Sequence, residues 1–205
     1  MIKVGLTGGY ASGKSFVAEE LGRLGCHLIY ADRLGHEVLL PGAEAYAPTL
    51  EAFGERILNE TGVIDRKKLA SLVFPDPELL GRLTAIVHPA VFRMEERLLS
   101  EYEAMDPTGI AVVEAAILIE TGRYRSFDRL IVVVCDRETQ IARALKRDHL
   151  TREEVLARIE QQLAPEEKLK YADYVVDTSG AKPDTAGQVN AIYRSLREVT
   201  EHSQK

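Results

Sequence analysis

Eight residues near the amino terminus constrain this 205-residue chain more than any other segment. Gly8-Gly9-Tyr10-Ala11-Ser12-Gly13-Lys14-Ser15 follows a short apolar run, Ile2 to Thr7, that reads as a buried strand. It opens a stretch in which Phe16, Val17, Leu21 and Leu24 fall on one side of a helix, with Gly25 as the stop. His27-Leu28-Ile29-Tyr30 is a second short strand. Strand, helix and strand within about thirty residues form a βαβ unit, whose strands run parallel and whose crossover is right-handed.

From Pro41 to about Met105 the pattern changes to helix-period segments broken by Pro75, Pro77 and Pro89, with no strand pattern, so this stretch reads as a helical insertion. The sheet resumes with Ile110 to Val113 and Leu130 to Val134, continuous apolar runs of the kind found in parallel strands covered on both faces. Asp136 suits the N-cap of a helix from Arg137 to about Arg147, and Thr151 with Glu154 forms a capping-box pattern for another. Tyr174-Val175-Val176 is the last strand expected, followed by a helix from Asp184 to Val199 and a polar tail, 200–205, expected to fray. The expected fold is an alternating α/β core interrupted by helices.

The chain is long enough for one large domain, or a core with an insertion, to bury its own apolar residues, which make up 45% of it. Cys26 and Cys135 are too few for a disulfide scaffold or a four-cysteine zinc site, and the five histidines, at 27, 36, 88, 149 and 202, show no metal-binding spacing. A reducing cytoplasm is the expected home. With no apolar run approaching the length of a membrane span and no signal-like amino terminus, neither secretion nor a membrane is expected. A formal charge of −6 argues against a nucleic-acid partner. The average hides a local reversal. Between Arg123 and Arg158 lie nine Lys or Arg against six Asp or Glu, including eight of the seventeen arginines. An acidic chain with one arginine-rich segment points to a small anionic ligand rather than a polyanion.

The glycine segment fits the phosphate-binding pattern G-x-x-x-x-G-K-[ST]. Gly8 and Gly13 allow backbone geometry that a Cβ would block, so successive N–H groups of Gly8, Gly9, Ala11, Ser12 and Gly13 can curl round a polyphosphate. The helix that starts near Lys14 adds the positive end of its dipole, with Phe16 in the same first turn. Lys14 can reach the β- and γ-phosphates, and the Ser15 hydroxyl can ligate Mg²⁺. A magnesium nucleoside triphosphate is the expected ligand.

A loop of this kind alone does not choose between phosphoryl transfer, switching and mechanical work. A GTP switch is disfavoured: the D-x-x-G pattern at Asp32 recurs at Asp106, Asp177 and Asp184, and no N-K-x-D segment exists. A motor would need more chain, and a non-catalytic nucleotide sensor would need no second substrate site. Asp32 ends the second strand, and ligands gather at the carboxyl ends of parallel strands. There it can take a proton from an attacking hydroxyl or hold the substrate, or it can cap the helix beginning near Arg33. Arg143 and Arg147 stand i, i+4 on one helix face. Either they form a lid closing over the transferred phosphate, or they form a solvated face paired with Asp148 and Glu138. Glu114, at the end of the third strand, is either a second-sphere acid for Mg²⁺ or a surface carboxylate. His88, ahead of a Pro89 suited to the first position of a helix, is either a structural hydrogen-bonding group or a substrate contact.

Taken together, Gly5-Leu6-Thr7-Gly8-Gly9 with Ser12-Gly13-Lys14-Ser15, Ala31-Asp32 with Pro41-Gly42, and His88-Pro89 resemble the dephospho-CoA kinase family. So do Ile117 to Glu120, Arg143 to Asp148, Leu150 to Glu154, and Ala172-Asp173 in the last strand. The resemblance runs in order along nearly the whole chain. It implies a P-loop core (1–31, 106–136 and 161–205), a helical domain for a small-molecule substrate (32–105) and a helical lid (137–160). It also implies ATP-dependent phosphorylation of the ribose 3′-hydroxyl of dephospho-CoA. By the same resemblance Asp32 matches the base, Arg143 and Arg147 match lid positions near the phosphates, and His88 joins Asp32 on the substrate side. Another P-loop nucleoside or nucleotide kinase is the alternative. The chain departs from the family pattern at Tyr10, usually aliphatic, at Phe16, usually polar, and at Tyr30, usually Asp. It departs also at Ala116, usually Pro, and at Thr178-Ser179, where an Asn is usual.

Overall fold

The computed structural model describes residues 1–148 and 150–202. Two compact units divide the chain, Met1–Ile29 with Glu101–Lys205, and Tyr30–Ser100. The described residues of the first form a parallel α/β fold around a five-stranded sheet in the order β2-β3-β1-β4-β5. Its strands are β1 (Ile2–Gly8), β2 (His27–Tyr30, whose last residue begins the second unit), β3 (Ile110–Glu114), β4 (Arg129–Val134) and β5 (Tyr174–Asp177). β1 pairs in parallel with both β3 and β4, and β4 with β5. Val4, Leu6, Val112 and Ile131 are wholly buried, as continuous apolar runs between two helical layers must be.

Helix α1 (Lys14–Arg23) ends through Gly25, whose φ of 100° only glycine adopts cheaply. The Cys26 N–H then reaches back to the Leu21 carbonyl at 3.1 Å and that of Gly25 to Gly22 at 3.0 Å, satisfying the last turn. In the second unit lie α2 (Ala31–Glu37), α3 (Tyr46–Phe53), a single 3₁₀ turn over Glu55–Ile57 and α4 (Arg66–Val73), together with most of α5 (Pro77–Met105). Phe53, Ile57, Ile64, Leu69 and Val73 are buried here, and Asp65 caps α4 by accepting the N–H groups of Lys67 and Lys68. The first unit continues with α6 (Arg137–Asp148), α7 (Arg152–Glu160), α8 (Pro165–Leu169) and α9 (Lys182–His202). The Thr151–Glu154 capping box is formed in full, and Asp136 accepts the Thr139 N–H at 2.8 Å. Among the described residues no helix is long and apolar enough to cross a membrane.

Two expectations change. Pro89 does not start a helix; it lies inside the 29-residue α5. Its missing N–H costs one internal bond, yet burial of Ala90, Val91 and Leu99 beyond it carries the helix on. The first-turn role belongs to Pro77, behind Asp76, which accepts the N–H groups of Glu78 and Leu79. The tail is helical through His202, and 203–205, like His149, lie outside the described residues.

Register at the start of the sheet is set by two aspartates acting alike. Asp128 accepts the Lys3 N–H at 2.7 Å through its carboxylate and returns its own N–H to the Lys3 carbonyl at 2.8 Å. Asp173, just ahead of β5 rather than within it, does the same to Leu130 on β4, at 2.7 and 2.9 Å. Replacing Asp173 with Ala is expected to lower stability by about 1 kcal/mol, the scale of one partly buried hydrogen bond at an exposed side chain. Urea unfolding of the variant beside its parent checks this, and an unchanged midpoint would show that the β4–β5 pairing holds its own register.

Candidate active site

The loop is built where β1 runs out. Gly8 sits opposite Val133 of β4, and a Cβ on it would stand 2.4 Å from the Val133 carbonyl oxygen and 2.9 Å from Ser12 Oγ. Only glycine lets the chain turn this close to its neighbour. Gly13, at φ 91°, is the N-cap of α1, and no side chain caps the helix there. Lys14 is buried, and its ammonium donates to the carbonyls of Gly8 at 3.0 Å and Gly9 at 2.9 Å. Ser12 Oγ is buried without a hydrogen-bond partner among the described residues. Ser15 is exposed on the first turn of α1, and the Phe16 ring lies 5.2 Å from Lys182 Nζ. An uncapped helix start, an orphaned hydroxyl and a lysine, with no carboxylate in the loop, fit a polyphosphate and a cation held at Ser15.

Arg143 and Arg147 share a helix but engage different partners. From α6, Arg143 donates Nη1 to Thr178 Oγ1 at 2.9 Å and Nη2 to the Thr178 carbonyl at 2.6 Å, with Nη1 also 3.4 Å from Cys135 Sγ. Thr178 Oγ1 in turn donates to the Ser12 carbonyl at 2.6 Å. A chain of two hydrogen bonds therefore runs from Arg143 to the loop. Arg147 instead forms a bidentate pair with Asp148, both bonds at 2.8 Å, and its guanidinium lies 5.2 Å from the centre of the Tyr10 ring. Glu138 pairs with Arg152 rather than with Arg143 or Arg147. Hydrogen bonding from Arg147, and then from the Tyr10 hydroxyl, pulls the Asp148 carboxyl down to about 2. The same Asp148 bond holds the Arg147 guanidinium still more firmly protonated than usual.

Glu114 closes β3, half-buried and in register with Leu6 of β1. In the second unit Asp32 is exposed in the first turn of α2. The alternative capping role does not apply, because the cap residue is Tyr30 and no side chain bonds there. One turn further on, His36 Nδ1 lies 3.2 Å from Arg66 Nη1. Burial and then Arg66 lower the His36 pKa, against the opposing charge of Asp32. His88 is half-buried against Phe92, ring centres 5.8 Å apart, and burial lowers its pKa.

The site holds residues that sequence reasoning passed over. Gln140 Nε2 donates to the Tyr10 carbonyl, and Gln162 Oε1 accepts the Tyr10 N–H at 2.6 Å. Behind the loop, the fully buried Lys168 donates to the Ala116 carbonyl at 2.9 Å and pairs with Glu120 at 2.8 Å. Thr7 Oγ1 shares that carbonyl at 3.2 Å. The spacing of Asp32 and His36, i to i+4, was readable in advance; the glutamines and Lys168 carried no pattern. Because Asp148 titrates lower folded than its ordinary 3.8, its contribution is complete above that value and is lost as pH falls through about 2. The stability difference between the parent and Asp148→Asn should therefore be constant above about pH 5 and shrink between about 4 and 2. Thermal melts of both across that range test it, and a flat difference would show the pair to be solvated.

With this geometry in view, three comparisons bear on identity. The dephospho-CoA kinase family model matches residues 2–184. A dephospho-CoA kinase of Geobacter metallireducens is 42% identical over 198 residues, 97% of this chain and 98% of that one. Among solved structures, the protein TT1252 of Thermus thermophilus superposes with a TM-score of 0.82 at 34% identity, covering 95% of this chain and 97% of that one. A dephospho-CoA kinase of Campylobacter jejuni gives a TM-score of 0.63 at 25% identity, covering 95% and 96%. On the loop, the parallel sheet and these matches along its whole length, the chain belongs to the dephospho-CoA kinase family.

Proposed function

We propose that this chain carries out the ATP-dependent phosphorylation of dephospho-CoA to coenzyme A, transferring the γ-phosphoryl group to the ribose 3′-hydroxyl. The bond from the 3′-oxygen to phosphorus forms as the bridging bond to the β-phosphate breaks, and ADP leaves. The observation that carries this reading is a complete phosphate loop, its lysine buried between two loop carbonyls, in a chain that matches the family from residue 2 to 184.

In this reading Gly8, Gly9, Ala11, Ser12 and Gly13 offer backbone and hydroxyl donors to the phosphates, with Phe16 in the first turn beside them. Lys14 leaves its two carbonyls to meet the β- and γ-phosphates. Ser15 would hold Mg²⁺, with Glu114 behind it; the ion, when bound, neutralises phosphate charge. Arg143 and Arg147, on a lid spanning 137–160, neutralise charge that grows during transfer. Asp32, exposed and free of any capping duty, takes the proton of the 3′-hydroxyl. His88 belongs with it to a substrate domain spanning 32–105. On this reading the enzyme is cytoplasmic and works on a small molecule; among the described residues no helix is long and apolar enough to cross a membrane.

Incubation with Mg-ATP and a panel of dephospho-CoA, AMP, UMP and nucleosides, followed by mass measurement of the products, tests the acceptor. Phosphate gained by a nucleotide monophosphate but not by dephospho-CoA would move the chain to another kinase class. Asp32→Asn is expected to keep ATP binding while turnover falls at least about 10²-fold, the scale of a lost general base. Turnover near the parent's would remove Asp32 from the proton path.

A further inference from the structure

Tyr10 is the third residue of the loop, ahead of the glycine, lysine and serine that face the phosphates. Its backbone is held from both sides by glutamines: its carbonyl accepts from Gln140 of α6, and its N–H donates to Gln162, beyond α7. The side chain does more than fill space. Its ring packs on a cluster of Ile141, Ala144 and Val155, which an aliphatic residue would serve equally well. Beyond that packing, its hydroxyl donates to Asp148 Oδ2, the oxygen that also accepts Arg147 Nη2. Two guanidiniums lie within cation–π range of the same ring, Arg147 at 5.2 Å and Arg158 of α7 at 5.6 Å. Arg158 Nη1 is also 3.4 Å from the Tyr10 oxygen. Side chains from α6 and α7 thus converge on one loop residue, and three of them carry charge.

We propose that Tyr10 is a positioning residue for the terminal phosphate of ATP. By anchoring Asp148 and carrying Arg147 and Arg158 on its ring, it sets two guanidiniums beside the loop before the nucleotide arrives. Two cations repel each other, and unheld arginines spread over many rotamers; the ring and the shared carboxylate offset both costs. The third phosphate then meets these cations, already in place, as well as Lys14, whereas the first two rely on the loop backbone and Lys14. The inference rests on the reading of the loop as an ATP site and not on the identity of the acceptor. Arg147 was expected in this role from sequence; Tyr10, Asp148 and Arg158 were not.

The test compares Tyr10→Leu and Tyr10→Phe with the unsubstituted protein. Calorimetry gives the affinities of Mg-ADP and of the Mg complex of the non-hydrolysable imido analogue of ATP. Tyr10→Leu should weaken the imido analogue about tenfold and ADP less than about twofold. Tyr10→Phe keeps the ring and loses the hydroxyl, so it should restore part of the difference, leaving a selective loss of about threefold. A residue that only stabilises the fold would weaken both nucleotides together, and that parallel loss overturns the proposal, as does no change in either. If the Leu variant does not fold, the Phe variant decides: an imido-to-ADP affinity ratio equal to the parent's overturns the proposal. An unsubstituted protein that binds neither nucleotide also overturns it. An unsubstituted protein that binds both but phosphorylates no dephospho-CoA refutes the acceptor reading instead, while the affinity ratio still judges Tyr10.

Discussion

The loop at the carboxyl end of β1 depends on how closely the chain turns past β4 at Gly8. With no side chain there, the backbone passes against the Val133 carbonyl, and the carbonyls of Gly8 and Gly9 turn towards the Lys14 ammonium. A Cβ would need that strand oxygen to retreat by more than half an ångström out of a parallel ladder that is paired on both sides. The seat of the Lys14 ammonium follows from that permitted contact, and the uncapped start of α1 from Gly13 at its N-cap. The buried sheet behind it supplies the rigidity that a site of this kind needs.

Around this loop the charges are arranged in a graded way. Lys14 is inside the loop, Arg143 reaches it through Thr178, and Arg147 and Arg158 stand at its edge on the Tyr10 ring. Each cation has an acceptor or a π-face, with Arg147 and Arg158 sharing the Tyr10 ring, which limits the repulsion that so many positive groups would otherwise generate. Asp148 is the counterweight at the edge, and Glu120 plays that part for the buried Lys168 behind the loop. The net charge of −6 and the arginine-rich segment are thus compatible. The acidity belongs to the chain as a whole, whereas Lys14, Arg143, Arg147 and Arg158 gather around one loop.

Much of the fold was legible because local rules and burial agreed. Apolar runs such as Leu130 to Val134 can hardly be anything but parallel core strands, and the Thr151–Glu154 box and the Asp136 cap depend on neighbours a few residues away. Where local and tertiary preferences conflicted, the reading failed. Pro89 is a helix breaker by its own chemistry, yet α5 continues through it because the burial gained beyond it outweighs one lost hydrogen bond. Asp32 looked like a cap candidate by residue type. The cap fell instead to Tyr30, whose side chain makes no bond there.

The site divides in the same way. Gly8, Gly13, Lys14 and Ser15 were determined by sequence alone, since a phosphate cradle needs those residue types at that spacing and the requirement is local to eight residues. The i, i+4 placement of Arg143 and Arg147 was equally visible. What each arginine would touch was not: Thr178 is 35 residues from Arg143, and Tyr10 is 138 from Asp148. Contacts of that range exist only once β1, β4 and β5 lie side by side and α6 and α7 fold back over the loop. No spacing rule encodes them. The sequence by itself therefore determined the phosphate-loop pattern and its place in the chain. The tertiary structure decided which side chains surround it, because that depends on which distant segments the buried sheet brings within a hydrogen bond of one another.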